Sequence, residues 1–384
     1  MNVVPVRFRN LLLAVLALSV MACKTTPAET TADAAGRQDF AIMAYYTGRP
    51  ATIDAQSASQ LTHIIYSFFH LEGNALNHPT PQDSTSLTYL VSLKKAHSDL
   101  KIMFSLGGWG GCETCSDVFA TQQGREEFAR SVKAISEKYK LDGIDLDWEY
   151  PTIAGFPGHR FAPEDKQNFT ALVQQLRKTM GDDYLISFAA GGFNTYLQQS
   201  VEWEKIMPLL DYVNLMSYDL VNGNSTVTGN HTPLYSTASQ VESIDNAVQY
   251  LDSIGVPARK IVVGAAFYAR VWEAVPNQLN GMYQPGKFKE AINYNVLGNY
   301  LTANTGFTTY WDSTAQAPYS YNAQKQLFAT YDDSLSIARK TDYALKHNLG
   351  GIMFWELSGD NPDEGLLDVM YRVKQQSATA ASAE

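Results

Sequence analysis

From Asp39 onward the chain repeats one pattern: a short, nearly continuous apolar run, a polar or Gly-rich break, then a longer stretch with apolar residues at helical spacing. Eight such runs qualify as strands: Ala41–Tyr46, His63–Phe69, Lys101–Leu106, Gly143–Glu149, Leu185–Ala190, Tyr212–Ser217, Ile261–Tyr268 and Gly351–Glu356. Runs this apolar suit strands covered on both faces, because neither face meets water. Between them, Glu126–Lys140 puts Phe128, Val132, Ile135 and Tyr139 on one stripe, and Lys166–Met180 does the same with Phe169, Leu172, Val173 and Leu176. Strand and helix alternating in this way predict an α/β fold, a (β/α)8 TIM barrel over 39–372. Its active site would lie at the C-terminal ends of the strands.

One connection breaks the pattern. Between the seventh and eighth runs, from about 271 to 334, the chain is loaded with Tyr, Trp, Phe, Asn and Gly. A structureless loop of that length does not belong in a compact domain. It reads as a small inserted α+β domain, whose aromatics divide between its own core and ligand contact; Trp311 is assigned to ligand. Beyond Arg372 the residues turn small and polar, which predicts a disordered tail over 373–384.

The N-terminus carries an address. Arg7 and Arg9 precede an apolar segment, Leu11–Val20, that is too short for an ordinary spanning helix. Residues 1–22 therefore read as a signal peptide. Val20-Met21-Ala22-Cys23 resembles a bacterial lipobox, in which Cys23 takes the lipid and the Thr- and Ala-rich stretch 23–38 is a tether. The alternative is a plain signal peptide cut near Ala22. The lipobox predicts an exported protein, lipid-anchored to a bacterial membrane, at the outer membrane or cell surface.

Net charge is −10, which argues against nucleic acid or an anionic surface as partner and suits a neutral substrate. Cys112 and Cys115 form a C-x-x-C loop that an oxidising compartment would close into a disulfide. With no second pair, they do not make a zinc site. No metal or other cofactor is expected, and the chain reads as a monomer.

The most informative stretch is Leu141–Pro151, L-D-G-I-D-L-D-W-E-Y-P. Side chains alternate faces along a strand, so Asp145, Asp147 and Glu149 share one face and Ile144, Leu146 and Trp148 the other. The apolar set wants a packed layer behind it. Three carboxylates on the opposite face repel one another and are costly to bury unpaired. A solvated acidic face or a hard-cation site would tolerate them; acid–base catalysis would require them.

D-G-I-D-L-D-W-E resembles the D-x-x-D-x-D-x-E signature of family 18 glycoside hydrolases, the chitinases. Further elements lie before and after it, in barrel order. Ser105-Leu106-Gly107-Gly108-Trp109 resembles the family's S-x-G-G element. Met216-Ser217-Tyr218-Asp219 is similar to M-x-Y-D, and Phe267-Tyr268-Ala269-Arg270 to F-Y-G-R, with Ala269 in place of Gly. The run from Gly350 to Glu356 resembles the last-strand element that carries a subsite tryptophan, Trp355.

The resemblance implies a retaining hydrolase of β-1,4-linked N-acetylglucosamine that uses the substrate's own acetamido group. It implies Glu149 as general acid and base, Asp147 as orienter of the acetamido N–H, and Asp145 as a partner sharing a proton with Asp147. Tyr218 would hold the acetamido carbonyl. Tyr45, Phe68, Trp109, Tyr150, Met216, Asp219, Tyr268, Arg270 and Trp355 would contact the sugar. Two other readings stay open: a glycosidase acting on N-glycan cores or peptidoglycan, and a chitin-binding lectin, which would lack the terminal acid that Glu149 supplies.

Overall fold

The computed structural model describes residues 40–49 and 51–381. The expected signal peptide, Cys23 and the tether lie outside the described residues. Eight parallel strands close into a barrel: Ala41–Tyr46, His63–Phe69, Lys101–Gly107, Gly143–Asp147, Leu185–Gly191, Tyr212–Met216, Ile261–Ala266 and Gly351–Trp355, the last pairing with the first.

Alternation along each strand sorts side chains into two layers. Ile42, Ala44, Ile64, Ile102, Phe104, Ile144, Leu146, Ile186 and Phe188 point outward into the main core beneath the helices. Met43, Tyr45, Ile65, Met103, Ala189, Val262 and Met353 form a second, separate cluster inside the barrel. Because both layers are dry, the strands read as continuous apolar runs. The helices supply the outer cover. Gln122–Tyr139, capped by the Thr121 hydroxyl accepting from Gly124 N, buries Phe128, Val132 and Ile135. Asp165–Met180 buries Phe169, Leu172, Val173 and Leu176. No described helix is long and apolar enough to cross a membrane.

Three differences from the sequence reading bear on the site and on the tail. The fourth strand ends at Asp147, so Glu149 stands on the loop just past it. The seventh strand ends at Ala266, where Phe267 stacks on Phe354 at 4.1 Å, and Tyr268 opens a new strand. That strand, Tyr268–Glu273, belongs to a five-stranded antiparallel sheet with Lys287–Asn293, Leu327–Thr330, Ala317–Asn322 and Thr308–Asp312, joined by helix Tyr294–Tyr300. The inserted α+β unit thus begins at Tyr268 rather than near 271. The third difference is the tail. Helix Leu366–Ala381 runs through the segment expected to be disordered from 373. Leu366, Leu367, Val369 and Met370 bury its first turns. Helix propagation from a packed nucleus is cheap, and Ala and Gln sustain it.

His63, at the start of the second strand, is 6% exposed and meets Tyr212 edge to face at 5.3 Å. Burial, reinforced by Lys101, pushes its imidazole from 6.5 down to about 4. The folded state therefore refuses a proton that the unfolded chain accepts between those two values. The contribution to stability is complete above about pH 6.5 and is lost as pH falls toward 4, by at most ~3 kcal/mol. Denaturant midpoints measured from pH 7 to pH 4 should fall less steeply in His63→Gln than in the parent; parallel curves would contradict this assignment.

Candidate active site

The site grows from the fourth strand. Register places Ser105 of the third strand and Ser187 of the fifth directly beside Asp145. Their hydroxyls donate to its two oxygens, Ser105 Oγ to Oδ2 at 2.8 Å and Ser187 Oγ to Oδ1 at 2.6 Å. Tyr45 Oη reaches Oδ2 at 3.1 Å and Asn214 Nδ2 reaches Oδ1 at 3.1 Å from strands one and six. Four donors fill the acceptor capacity of a carboxylate. They oppose the upward push that burial exerts on Asp145.

Asp147 lies one layer higher, 4% exposed, and its Oδ1 has no protein partner. Burial raises it well above the usual carboxylate range, helped next by Glu149 and then by Asp145. The sequence reading had Asp145 and Asp147 share one proton. The structure sets four donors around Asp145 and none on Asp147 Oδ1, and after burial the neighbour that raises Asp147 most is Glu149, ahead of Asp145. Glu149 itself is half-buried. Burial pushes it up to about 7, against a hydrogen bond from Tyr150 and with a contribution from Asp219. A carboxyl that keeps its proton near neutrality is what a general acid needs.

Two glycines let the third strand's loop close on this ladder. At Gly107, with φ +107°, a Cβ would lie 2.1 Å from the Asp147 carbonyl oxygen. At Gly108, with φ +79°, it would strike the Phe68 ring. The S-x-G-G element is therefore a close-approach requirement as well as a turn. Beyond it, Cys112 and Cys115 are joined in a disulfide.

Across the mouth, Tyr218 comes just after the sixth strand. Burial and then Asp147 and Glu149 raise its phenol, so it stays a donor; its protein contact is the weak Met353 sulfur at 3.9 Å. Met216 is buried in the inner cluster beside it. Asp219, at φ +56°, accepts from Tyr268 Oη at 2.9 Å and from Arg270 through both Nε, at 2.7 Å, and Nη2. Burial would raise Asp219, but His231 and Arg270 hold it well below the usual carboxylate range. The insertion's first strand thus delivers Tyr268 and Arg270 to the barrel's own loop. Ala269 between them is buried in extended strand, so replacing Gly costs nothing there.

Aromatic rings complete the mouth. Trp355 stacks on Phe68 at 5.5 Å and tilts over Tyr45 at 5.8 Å. Tyr150 meets Phe193 and Tyr196 edge to face. Trp109 is 52% exposed and touches Phe156 at 5.6 Å. Trp311 sits on Thr308–Asp312, the edge strand of the insertion sheet, half-buried.

Sequence reasoning missed Ser187, Asn214 and His231. The first two are single polar residues in apolar strands, a signal that is present but ambiguous. His231, fully buried 3.6 Å from Asp219, comes from a loop with no periodicity. Among the described residues no group of three or more His, Cys, Asp or Glu is placed to hold a metal ion. What the arrangement can do is protonate a leaving oxygen from Glu149 while Tyr218 and Asp147 present a donor and an acceptor to one neighbouring group.

Comparison with known proteins agrees with this chemistry. Residues 41–360 match the glycosyl hydrolases family 18. The chain is 37% identical to Chitinase A1 of Niallia circulans, over 72% of this chain and 43% of that protein, so it spans less than half of that relative. It is 30% identical to Chitinase B of Serratia marcescens, over 84% of this chain and 78% of that one. Its fold superposes with a TM-score of 0.81 on a family 18 N-acetylglucosaminidase from Paenibacillus barengoltzii, at 35% identity, covering 87% of this chain and 100% of that one.

Proposed function

The chain belongs to glycosyl hydrolase family 18, and on that premise we propose that it is a chitinase, hydrolysing β-1,4-linked N-acetylglucosamine with retention of configuration. The observation that carries this is Glu149, just past the fourth strand on the acidic ladder, pushed up to about 7 and close enough to Tyr218 to raise its phenol. The named relatives act on the same sugar: two are chitinases and one an N-acetylglucosaminidase.

Glu149 gives its proton to the glycosidic oxygen as the C1–O bond breaks. The acetamido carbonyl oxygen of the same sugar attacks C1, so the electron pair comes from the substrate and not from a carboxylate. Tyr218 Oη donates to that carbonyl and aims it. Asp147 Oδ1 accepts the acetamido N–H, which supplies the partner that oxygen lacks within the protein. Asp145, held by its four donors, anchors the base of the ladder beneath Asp147. Glu149, now a carboxylate, takes a proton from water; the water oxygen opens the cyclic intermediate at C1, and the two inversions give net retention. Trp355 floors the sugar, with Phe68 and Tyr45 behind it. Met216, Tyr150 and Asp219, the last held by Tyr268 and Arg270, shape the acetamido side, and Trp109 takes the leaving sugar.

The test is incubation with N-acetylglucosamine oligomers of defined length, reading products by mass. Shorter oligomers differing by whole N-acetylglucosamine units are expected; unchanged oligomers would refute the reading. A lectin built on this barrel would have no use for a terminal acid of raised affinity for its proton, so Glu149 favours hydrolysis.

We further propose that the protein is exported, works as a monomer and is tethered to a bacterial membrane by lipid on Cys23. The support is the Arg7/Arg9 and Leu11–Val20 pattern leading into Val20-Met21-Ala22-Cys23. Cys23→Ser should move the enzyme from the membrane to the soluble fraction with loss of labelled lipid. An unchanged membrane fraction would contradict the anchor.

A further inference from the structure

Among the described residues, the large exposed apolar side chains other than Trp109 and Phe156 are aliphatic ones and the rings of Phe161 and Tyr235, and singly exposed side chains need no explanation. Trp109 and Phe156 are different. They are 52% and 36% exposed, lie on the loops after the third and fourth barrel strands, and touch each other at 5.6 Å with ring planes 69° apart. Two large rings kept in contact but left half in water contribute little to folding; such a patch marks a binding surface.

The patch is built rather than incidental. At Gly110, with φ +85°, a Cβ would press on the Phe156 ring at 3.1 Å, so the Trp109 loop must be glycine there for the pair to meet. At Gly155 a Cβ would lie 2.0 Å from the Glu149 carbonyl oxygen, so the loop that carries Phe156 folds back against the backbone of the acid. His159 packs against Phe156 at 4.9 Å. Arg160 then pairs with Asp117 of helix Cys115–Phe119, whose first residue is bonded to Cys112. The loop is therefore clamped at both ends, one against the acid and one against the disulfide-linked helix.

We propose that Phe156 is a binding platform for the leaving-group side of the sugar chain, extending the site by one sugar beyond Trp109; this rests on the glycosidase reading above. The direction comes from Glu149. The oxygen it protonates belongs to the departing sugar, so that sugar lies against Glu149, and the residues carried past Glu149 meet the next sugar along the chain. The chemistry comes from the rings. A pyranose with equatorial substituents presents axial C–H groups on each face, and aromatic faces cover such surfaces at low entropy cost because the rings are already held. The occupant is a neutral amino-sugar chain, which offers such C–H faces and no charge to pair.

The test compares a short and a long substrate. The short one is a methylumbelliferyl glycoside of the N-acetylglucosamine disaccharide, whose leaving group ends at Trp109; the long one is the hexasaccharide. Phe156→Ala should leave kcat/KM on the short substrate within about twofold and raise KM on the hexasaccharide by about tenfold with little change in kcat. The hexasaccharide cleavage pattern should shift away from bonds that need the added site. Phe156→Trp should restore both. An unchanged hexasaccharide KM and cleavage pattern would overturn the proposal. So would equal losses on both substrates, since they would mean that Phe156 only props the loop. A parent enzyme inactive on the short glycoside would overturn the glycosidase reading and this inference with it. Activity of the parent there means that a failure of the hexasaccharide arm counts against Phe156 alone.

Discussion

Glu149→Gln is expected to reduce oligosaccharide hydrolysis by roughly 10³-fold or more, at the upper part of the range for a positioned acid, while binding changes only a few-fold. Glutamine keeps the side chain's shape and its place on the loop past the fourth strand but has no proton to give. The rings of Trp355, Phe68 and Tyr45 that hold the sugar are untouched. The same residue sets the alkaline limit of the parent enzyme. Burial raises Glu149 to about 7, and the acid works only while protonated. The kcat/KM profile should therefore decline above about pH 7, and that limb should be missing from whatever residual activity Glu149→Gln retains. Near-normal turnover by the variant would place the acid elsewhere.

Tyr218→Phe should cost roughly 10²–10³ in kcat, about 3–4 kcal/mol, by analogy with removing one donor from an oxyanion site. Burial first, and then the neighbouring Asp147 and Glu149 carboxyls, raise the phenol and keep its hydroxyl a donor. Its protein contact is a thioether at 3.9 Å, so little is lost in the free enzyme when it goes. The donor matters most as the acetamido carbonyl becomes the nucleophile. The loss should therefore fall on kcat and leave KM within a few-fold, because the ring stays and the contact strengthens with developing charge. A variant that lost binding as much as turnover would make Tyr218 a simple wall of the site.

The barrel was legible because its two dry layers write themselves as apolar runs, and because one strand interrupts that rule. Asp145 and Asp147 replace inward-facing apolar residues, while Ile144 and Leu146 keep the outward layer intact, so the deviation itself marked the site. How the hydrogen-bond donors divide between Asp145 and Asp147 was not legible. It depends on Ser105 and Ser187 lying beside Asp145, and register between three strands separated by whole helices is not written in any one of them. The loop past the sixth strand hid His231 for the same reason. Its position beside Asp219 is set by the fold and by no local pattern. The end of the seventh strand was misread at Tyr268, since an apolar run continues unbroken from barrel into insertion and the turn at Phe267 carries no Gly or Pro. The last helix was misread because small polar residues resemble a tail when the packed turns before them, Leu366 to Met370, are not counted as its nucleus.

The central claim is that the substrate's acetamido oxygen, aimed by Tyr218 and Asp147, does the work of a nucleophile. It is tested most directly with two otherwise identical oligosaccharides, one N-acetylated at the sugar to be cleaved and one carrying a free amine there. The account predicts turnover of the first with β-configured product. The second should bind, yet turnover at that bond should be absent. Comparable cleavage of both, or a sugar found covalently bonded to Asp147, would contradict it.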